Sequence, residues 1–584
     1  MILVFGGTTE GRMAAKVLDE SGASYCYSTR GKEQDIHLVH GIRLTGAMEV
    51  PAMLKCCWEH GIRLIVDAAH PFAEDLHRNV LSVASQASIP VIRYDRIYPA
   101  HDKTFIWCED YDDAVRQLEA GGIARLLALS GVNTVEKLRG YWKNHECWFR
   151  ILNREQSHRL AEQSGFPEDH LVYYEQDETA SLLDDLKPQA ILTKESGLSG
   201  GFDEKVEAAR QAGVKVFVVQ RPEYPVLPGA QVEHVNGPHG LRRMVEKLLP
   251  EFYPLHSGLT TGTCATAAAI AATRRLMSGE TPPQVPVVLP DGETIHVDVF
   301  YGDGYAAVFK VSGDDPDVTD GIEVRASVEP SDTFAIVGGE GVGTFTFPGF
   351  DFPPGEPAIN KAPREMMRNN ISENVRITIS VPEGKEIARR TFNPRLGIEG
   401  GISIIGVSGI VKPFSEEAFI NSIRKCVQVA KASGADRLVI NSGGKSENYV
   451  KSLYPELPQQ AFVEYGNYIG KTLTFAHEEG IPNVTLGVML GKAVKLAAGH
   501  LDTHSRQATM DKEFIGAMLH EAGINIDITP ITLARELWDI IPKEKLQDFA
   551  TVVVNHCAEH CNPLLPNGHL TILLIDDQGK IYHP

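Results

Sequence analysis

A glycine turn near the start of the chain is the first feature whose residues could do chemistry. Gly6, Gly7 and Gly11 lie in the string ILVFGGTTEGR, between an apolar run and a segment with helical periodicity. Backbone N–H groups in such a turn, together with the start of a helix, can bind a phosphate. The pattern therefore predicts a nucleotide site at the first turn of an α/β unit.

The residues around this turn separate two nucleotide classes. The spacing from Gly6 to Gly11 matches a P-loop, but Arg12 and Met13 occupy the positions of the lysine and of the magnesium-binding Ser or Thr. Thr8 replaces the middle glycine of the fingerprint G-x-G-x-x-G, so a dinucleotide site is indicated by position, in the first turn between a strand and a helix. A glycine turn that only packs the helix on the sheet is the structural alternative.

The end of the second predicted strand supports a dinucleotide. Ser28, Thr29 and Arg30 stand there, where sites specific for NAD usually place an acidic residue. Hydroxyls and a guanidinium suit a 2′-phosphate, which favours NADPH over the alternative NADH. The residues predicted to bind this cofactor are Gly6, Gly7, Thr8, Thr9, Glu10, Gly11, Arg12, Ser28, Thr29 and Arg30.

Two later segments also follow apolar runs, where open α/β sheets present ligand-binding groups. The segment DAAHPFA contains His70, the predicted proton donor, with solvent as the alternative proton source and a turn cap as the structural alternative. The segment TKESG contains Lys194, which could pair with an acidic group, although most such lysines only face solvent.

The elements that must position these residues differ between the two halves of the chain. In the first half, β-branched runs alternate with helical stretches, which predicts α/β structure with parallel sheets. We expect two Rossmann-like lobes at 1–114 and 115–248, followed by a proline-containing linker at 249–256. Two-residue periodicity predicts an α+β subdomain at 257–414, and returning βα alternation predicts an α/β subdomain at 415–584.

Composition limits the partners and the compartment. The 584-residue chain is 43% hydrophobic and carries a formal net charge of −20. This acidity disfavours nucleic acid or an anionic membrane as a partner, and no apolar run reaches the length of a membrane span. Nine scattered cysteines indicate reduced thiols. We expect a cytoplasmic protein without a targeting leader that binds a small molecule, and a homo-oligomer stays open.

The first half resembles a known family. The strings ILVFGGTTEGR, DAAHPFA, TKESG followed by KVEAAR, and VVQRP together resemble the precorrin-6A reductase family across residues 1–248. The resemblance implies that a reduced nicotinamide dinucleotide saturates one double bond of a corrin precursor. It also implies a cofactor and substrate cleft around the segment DAAHPFA. The residues predicted to bind substrate in this half are Asp67, Pro71, Phe72, Lys194, Ser196 and Gly197.

The second half resembles another family of cobalamin biosynthesis. LTTGTCATAAAIAA, GDDPDVTDG, GVGTFTFPGF, GEPAINKAPR, NPRLGIEGGISIIGVSGIVKPFS, EYGNYIG and KLAAGHLDTHS occur in one order and resemble the cobalt-precorrin-5B methyltransferase family. The resemblance implies methylation of carbon 1 of the macrocycle by S-adenosylmethionine, in the anaerobic pathway. Together the two resemblances predict a bifunctional enzyme that converts cobalt-precorrin-5B to cobalt-precorrin-6A and then to cobalt-precorrin-6B.

Several residues of the second half suit a tetrapyrrole with many carboxylates. Arginine and lysine side chains on glycine- or proline-rich loops could hold those carboxylates, and the loops NSGGKSE and EYGNYIG could approach the methyl donor closely. The predicted substrate residues are Thr261, Gly262, Thr263, Asn360, Arg364, Arg395 and Lys412. The residues predicted to bind S-adenosylmethionine are Asn441, Gly443, Gly444, Gly466 and Asn467.

Acidic and imidazole groups are the candidate catalytic residues of this half. Asp315 and Asp317 could accept a proton, stabilise the sulfonium or bind a metal, with an Asp/Pro turn as the structural alternative. His500 could hold a proton, or lie at the carboxyl end of a helix. The string NHCAEHC lacks the spacing of a structural zinc site, so no metal ligands are predicted, and cobalt is expected only within the substrate.

Two other classes of function stay open. One is a corrinoid-binding protein with only one active half, which titration with the two cofactors would distinguish. The other is an unrelated dinucleotide oxidoreductase, such as a short-chain dehydrogenase, fused to a methyltransferase. That class needs a Tyr-x-x-x-Lys pair, which the strings YYEQDE and YWKNHE do not supply.

Overall fold

The computed structural model describes residues 1–31, 34–174, 178–504 and 510–583. The chain forms two compact units, Met1–His256 with Asp291–Ile295 and Ser257–Pro290 with His296–Pro584. Among the described residues, no helix is both long enough and apolar enough to cross a membrane.

The first unit alternates short buried strands with helices. Its strands are β1 (Ile2–Phe5), β2 (Tyr25–Thr29), β3 (Gly41–Thr45), β4 (Leu64–Asp67), β5 (Val91–Tyr94), β6 (Ile106–Cys108), β7 (Arg125–Ala128), β8 (Glu146–Ile151), β9 (Leu171–Tyr173), β10 (Ala190–Lys194), β11 (Lys215–Val219) and β12 (Val232–Val235). Its helices are α1 (Thr9–Asp19), α2 (Val50–Glu59), α3 (Glu74–Ala87), α4 (Tyr111–Ala120), α5 (Arg139–Trp142), α6 (Glu155–Gln163), α7 (Thr179–Leu186), α8 (Phe202–Gln211) and α9 (Pro238–Leu248).

Two parallel sheets organise this unit. The first has the order β12-β5-β4-β1-β2-β3 and the second the order β6-β11-β10-β7-β8-β9. Their strand pairs run parallel. Central strands such as β1 and β4 are buried along their whole length, because helices cover both faces of a parallel sheet. The predicted α/β first half with parallel sheets is confirmed.

One edge strand of each sheet comes from the other side of the predicted lobe boundary. β6 pairs with β11 in the second sheet, although it precedes residue 115. β12 pairs with β5 in the first sheet, although it follows the whole second sheet in the chain. The sheets therefore divide the chain differently from the predicted lobes 1–114 and 115–248. Apolar periodicity predicts that a strand exists, but it does not indicate which sheet edge that strand joins.

The second unit contains shorter strands and a long buried helix. Its strands are β13 (Gly258–Leu259), β14 (Gln284–Val288), β15 (Thr294–Asp298), β16 (Phe300–Tyr301), β17 (Ala306–Phe309), β18 (Glu323–Pro330), β19 (Ala335–Gly338), β20 (Thr344–Phe345), β21 (Val375–Ser380), β22 (Ile398–Glu399), β23 (Ile410–Val411), β24 (Arg437–Asn441), β25 (Phe462–Glu464), β26 (Asn483–Met489), β27 (His569–Ile575) and β28 (Ile581–Tyr582). Its helices are α10 (Thr261–Ser278), α11 (Lys361–Asn370), α12 (Gly384–Ala388), α13 (Asn393–Leu396), α14 (Glu416–Ala432), α15 (Gly444–Lys451), α16 (Ile469–Glu478), α17 (Leu490–Ala497), α18 (Lys512–Glu521), α19 (Leu537–Ile540) and α20 (Leu546–Cys561).

The two larger sheets of this unit are both mixed. In the order β16-β17-β18-β21-β19, neighbouring strands run antiparallel except for the parallel pair β19 and β21. In the order β25-β24-β26-β27-β28, neighbouring strands run parallel except for the antiparallel pair β27 and β28. Helix α10 begins at the cap Thr260, ends at Gly279 with φ +76°, and is buried from Thr261 to Thr273. Its small alanine and threonine side chains allow this close packing.

Candidate functional site

A cavity of about 1600 Å³ lies along the carboxyl ends of the parallel strands in the first unit. Residues that follow β1, β2 and β4 of the first sheet line one part of it. Residues at the ends of β7, β8 and β10 of the second sheet line the other part. Open α/β sheets bind ligands at this edge, so the cavity is the candidate site of the unit.

The glycines of the first turn serve two different purposes. A Cβ on Gly6 would collide with the ring of Tyr27, and a Cβ on Gly11 would lie 2.7 Å from the Cα of Gly6. These two glycines allow the turn, the helix and the second strand to pack closely. Gly7 instead has φ +90°, and a Cβ there would meet no atom of the described residues within 4 Å. Gly7 is therefore the position where backbone faces open space in the cavity wall.

The predicted cofactor residues divide in the same way. Thr8 caps helix α1, since its hydroxyl accepts the N–H of Gly11 at 2.9 Å and donates to the carbonyl of Ala68 at 2.6 Å. Glu10 is buried and pairs with Arg96 at 3.1 Å. Both side chains position the turn. Those that line the cavity are Gly6, Gly7, Thr8, Ser28, Thr29 and Arg30, whereas Thr9, Glu10, Gly11 and Arg12 lie outside its wall.

A buried ion pair links this turn to a loop of the second sheet. Arg96 donates through Nε to Glu10 and through a terminal nitrogen to the carbonyl of Ser196, at 2.7 Å. The hydroxyl of Ser199 also donates to the Glu10 carboxylate. Gly197 has φ +71°, and a Cβ there would lie 2.9 Å from Arg96, so this glycine lets the loop pack closely on Arg96, and its predicted substrate contact stays a prediction. These contacts fix the two sides of the cavity relative to each other.

Asp67, predicted to contact substrate, is fully buried instead. Its carboxylate accepts hydrogen bonds from Arg93 at 3.2 Å and Tyr224 at 2.8 Å, and it pairs with His77 at 2.6 Å. Burial raises the pKa of Asp67, but these partners outweigh it and hold the pKa at about 2. The ionised carboxylate therefore anchors the segment that follows β4 and does not reach the cavity. Pro71 also lies outside the cavity wall, whereas Phe72 lines it.

His70 lines the cavity, but its protonation state differs from that of an imidazolium donor. Burial, reinforced by the charges of Arg96 and Lys194, lowers the pKa of His70 to about 3. The ring nitrogen Nδ1 accepts the backbone N–H of Phe72 at 3.2 Å. In the free protein His70 is therefore neutral with its proton on Nε2, so it holds no excess proton to transfer.

Four cationic side chains, Lys137, Arg150, Lys194 and Lys205, line the part of the cavity formed by the second sheet. Burial, followed by repulsion from Lys137 and Lys205, lowers the pKa of Lys194 to about 8. Burial and the charge of Arg150 also lower the pKa of Lys205. Mutual repulsion of partly buried cations is costly in the free protein, and a ligand with several negative charges would relieve it.

Of these four cations, only Lys194 is predicted from the sequence. A signal for Lys137 exists in the string ALSGVNTVEKL, where a second glycine turn follows a predicted strand. Arg150 lies inside strand β8, where its side chain lies over the ring of Tyr174 at 4.4 Å and donates to Thr179 at 2.8 Å. An arginine within a strand gives no sign of facing a ligand until the sheet is assembled. Ser196, which was predicted, lines the cavity as well.

In the second unit, the conspicuous string LTTGTC has a packing role. Thr261 and Thr263 are buried, and their hydroxyls bond to a loop near residues 403–411. The hydroxyl of Thr261 accepts the N–H of Ile405 at 2.9 Å, and that of Thr263 donates to the carbonyl of Gly409 at 2.6 Å. A Cβ on Gly262 would lie 2.8 Å from Pro363. These three positions therefore hold the loop on helix α10, and their predicted contacts with substrate stay predictions.

The predicted catalytic carboxylates of this unit also serve the fold. Asp317 pairs with the buried amine of Lys310 at 2.8 Å. Burial raises the pKa of Asp317, but the charge of Lys310 and two bonds from Thr319 outweigh it and lower the pKa. Asp315 accepts the N–H of Phe414 at 2.9 Å. His500 is exposed after helix α17, where its N–H donates to the carbonyl of Lys495 at 3.0 Å. The three predicted groups do not converge.

The predicted basic residues of this unit occupy separate loops. Arg364 donates to the carbonyl of Ile359 at 2.8 Å, and Arg395 pairs with Glu447 of helix α15 at 2.8 Å. Asn360 precedes helix α11, and its side-chain oxygen is buried without a hydrogen-bond partner among the described residues. Lys412 follows strand β23 and is exposed. Their predicted contacts with substrate stay predictions.

The predicted residues for S-adenosylmethionine lie together at one sheet edge, where β24, β25 and β26 end side by side. Asn441 is fully buried and accepts the N–H of Gly443 at 3.0 Å, which shapes a loop in which Gly443 has φ +137°. Gly444 begins helix α15 after that loop. Gly466 follows β25 with φ +57°, and Asn467 comes next. Two neighbours that are not predicted from the sequence, Glu464 and Lys492, complete this edge.

Comparison with known proteins identifies both halves. The family model described as Precorrin-6x reductase CbiJ/CobK matches residues 1–240. The model CbiD matches residues 250–413, and CbiD, C-terminal domain matches residues 502–583. A cobalt-precorrin-5B C(1)-methyltransferase of Prosthecochloris aestuarii is 40% identical over 348 residues, which cover 56% of this chain and 94% of that protein. The chain belongs to the cobalt-precorrin-5B C(1)-methyltransferase family.

Solved structures resemble each half of this methyltransferase-family chain. A cobalamin biosynthesis protein from Archaeoglobus fulgidus is 31% identical, with 43% of this chain and 83% of that chain covered and a TM-score of 0.26. A precorrin-6A reductase is 20% identical, with 42% and 97% covered and a TM-score of 0.35. The family matches show that the chain is a fusion, and they confirm the predicted bifunctional enzyme with methyltransferase and reductase parts.

Proposed function

We propose that this chain methylates cobalt-precorrin-5B at carbon 1 to give cobalt-precorrin-6A and then reduces that product to cobalt-precorrin-6B. The proposal is carried by one observation: a member of the methyltransferase family also contains a reductase-family half with a glycine-turn cavity lined by four cations. Consecutive activities on one chain keep an oxygen-sensitive intermediate at high local concentration. Cobalt enters this scheme only as part of the substrate.

NADPH is the proposed reductant, and NADH is the alternative. Gly7 leaves room for a pyrophosphate near the start of α1, and the exposed Arg30 donates no hydrogen bond within the described residues, so it is free to meet a 2′-phosphate. When bound, the nicotinamide supplies a hydride. The turn and Arg30 hold the cofactor, while Phe72 contributes an apolar wall. His70 is neutral, which favours solvent as the source of the proton.

The tetrapyrrole is proposed to lie against the second-sheet part of the cavity. The volume of about 1600 Å³ exceeds that of an ordinary ligand pocket, roughly 300–1,000 Å³, and has room for a macrocycle beside a dinucleotide. We propose that its carboxylates bind to four cations and one hydroxyl of this wall: Lys137, Arg150, Lys194, Lys205 and Ser196.

S-adenosylmethionine is proposed to bind at the edge formed by the ends of β24, β25 and β26. It supplies the methyl group, and the reaction requires mainly alignment of two carbons and removal of water. The glycine loops at Gly443 and Gly466 allow backbone to approach the adenosyl group. Arg395, which pairs with Glu447 of helix α15, is proposed to hold a substrate carboxylate. The proposed domain division of this half is an α+β subdomain at 257–414 and an α/β subdomain at 415–584. Nine free cysteines support the cytoplasm as the proposed compartment.

An anaerobic incubation with cobalt-precorrin-5B tests both activities in one experiment. S-adenosylmethionine and each nicotinamide are added separately and together, and products are followed by mass. We expect a gain of one methyl group with S-adenosylmethionine alone, and a further gain of two hydrogens only when a reduced nicotinamide is also present. A protein that binds the tetrapyrrole without either mass change would contradict the proposal and favour a corrinoid-binding function.

A further inference from the structure

Glu464 is the last residue of β25 and points toward the loop that follows the neighbouring strand β24. Its Oε1 atom lies 3.2 Å from the position that a Cβ on Gly443 would take. Gly443 has φ +137°, a conformation that favours glycine, so both the backbone and the available space leave this position without a side chain. The carboxylate therefore borders a surface where a ligand can approach the backbone of the loop closely.

The order of the strands makes this edge a ligand site. The chain runs from β24 to β25 on one side and then returns to β26 on the other side of β24, so the crossovers diverge at β24. Ligands of open α/β sheets bind outside the carboxyl ends of strands at such a divergence. In dinucleotide sites of this kind, an acidic residue about 20 positions after the first loop bonds a ribose hydroxyl. Glu464 stands at that distance after Gly443, at the end of the next strand.

The Glu464 carboxylate has charged neighbours but no donor of its own. Although it is partly buried, it accepts no hydrogen bond from the residues that the structure describes. Lys492 and Cys426 are close enough to feel its charge, and Cys426 also feels that of Arg395. The amine of Lys492 is held by the carbonyl of Gly466. A carboxylate with two acceptor oxygens and no donor is suited to a ligand that brings two adjacent hydroxyls.

From this geometry we propose that Glu464 binds the ribose of S-adenosylmethionine, with its carboxylate accepting hydrogen bonds from the 2′ and 3′ hydroxyls. The inference rests on the proposed methyltransferase function and names a contact at its cofactor site. Loop residues Asn441 and Gly443 then lie beside the adenosyl group. Arg395, whose charge also acts on Cys426, is left to hold the acceptor macrocycle.

The test measures binding of S-adenosylhomocysteine and its 2′-deoxy and 3′-deoxy analogues to the full chain by calorimetry. We expect Glu464→Gln to lower the affinity for S-adenosylhomocysteine at least tenfold. Removing either hydroxyl from the ligand should lower its affinity for the wild-type protein by a similar factor. The Glu464→Gln variant should bind the deoxy analogues with an affinity less than threefold below that for S-adenosylhomocysteine, because the carboxylate that accepts from the hydroxyls is already replaced. Glu456→Gln removes the same charge from an exposed position of this unit and should change affinity less than twofold.

The outcomes distinguish this inference from the proposed function. If wild type binds no S-adenosylhomocysteine and transfers no methyl group, the proposed function fails and takes the inference with it. If wild type binds it and Glu464→Gln binds equally well, the inference alone is overturned, and a loss confined to turnover would make Glu464 a proton acceptor instead. Should Glu464→Gln lower the unfolding temperature, Glu464→Asp, which keeps the charge, carries the same comparison of analogues.

Discussion

The two halves of this chain use their most conspicuous sequence strings in opposite ways. In the reductase half, the turn containing Gly7 and the segment containing His70 both reach one cavity. In the methyltransferase half, Thr261 and Thr263 of LTTGTC, together with Asp317, hold loops in place. A string that identifies a family is therefore not by itself a string that touches a ligand.

The difference follows from where each string lies in its fold. The reductase strings follow parallel strands, and the carboxyl ends of such strands meet at one edge. LTTGTC instead begins a helix that is buried over its first thirteen residues, so its polar groups must find partners inside the protein. The methyltransferase half has its own parallel edge, and its candidate ligand groups, including Asn441, Gly466 and Glu464, lie there.

Replacing Gly7 with valine should give the largest effect. A β-branched residue at φ +90° costs roughly 1–3 kcal/mol of backbone strain, and its side chain enters the cavity. We expect the affinity for NADPH, measured by fluorescence titration, to fall more than a hundredfold while methyl transfer is kept. Gly22→Val is the matched control, because Gly22 has φ +73° and open space but lies outside the cavity wall. Equal loss of NADPH binding in both variants would place the cofactor elsewhere.

A change of pH should alter the KM of the reductase activity about tenfold. Lys194, with a pKa of about 8, is charged below that pH and loses its charge above it. Losing one charge-assisted contact of about 1.5 kcal/mol should raise the KM for cobalt-precorrin-6A about tenfold between pH 7 and pH 9.5. Lys194→Arg should flatten this profile, since arginine stays charged.

The control for this profile is Lys215→Arg, an exposed lysine at the opposite end of the neighbouring strand. It should reproduce the wild-type dependence on pH. A profile that stays steep in Lys194→Arg would mean that another group controls substrate binding, and the four cations would then lose their proposed role.

The fold was more accessible from the sequence than the site. Apolar runs indicated the parallel strands of the first half, because strands buried on both faces need no alternation. They did not indicate that β6 joins the second sheet and β12 the first, since the composition of a strand does not determine which distant strand it pairs with. Arg150 was missed because it lies within a strand, and the burial of Asp67 was not foreseen because its partners Arg93 and Tyr224 come from distant segments. Ligand-facing and core-facing polar residues look alike until long-range pairing is known.

The smallest effect on activity is expected for Thr263, which belongs to the string LTTGTC and bonds within the protein, unlike Gly7 and Lys194 of the reductase cavity. Thr263→Val removes the bond to Gly409 from a fully buried side chain, but Gly409 keeps the N–H of Thr260 as a donor. Unfolding free energy should fall by about 1 kcal/mol, as measured by urea denaturation. Thr273→Val, which removes a buried hydroxyl farther along α10, should cost a similar amount. Both variants should keep the methyltransferase KM within twofold, since both hydroxyls are buried and bonded within the protein. A KM raised more than tenfold in Thr263→Val alone would return LTTGTC to the substrate site and remove the contrast between the halves.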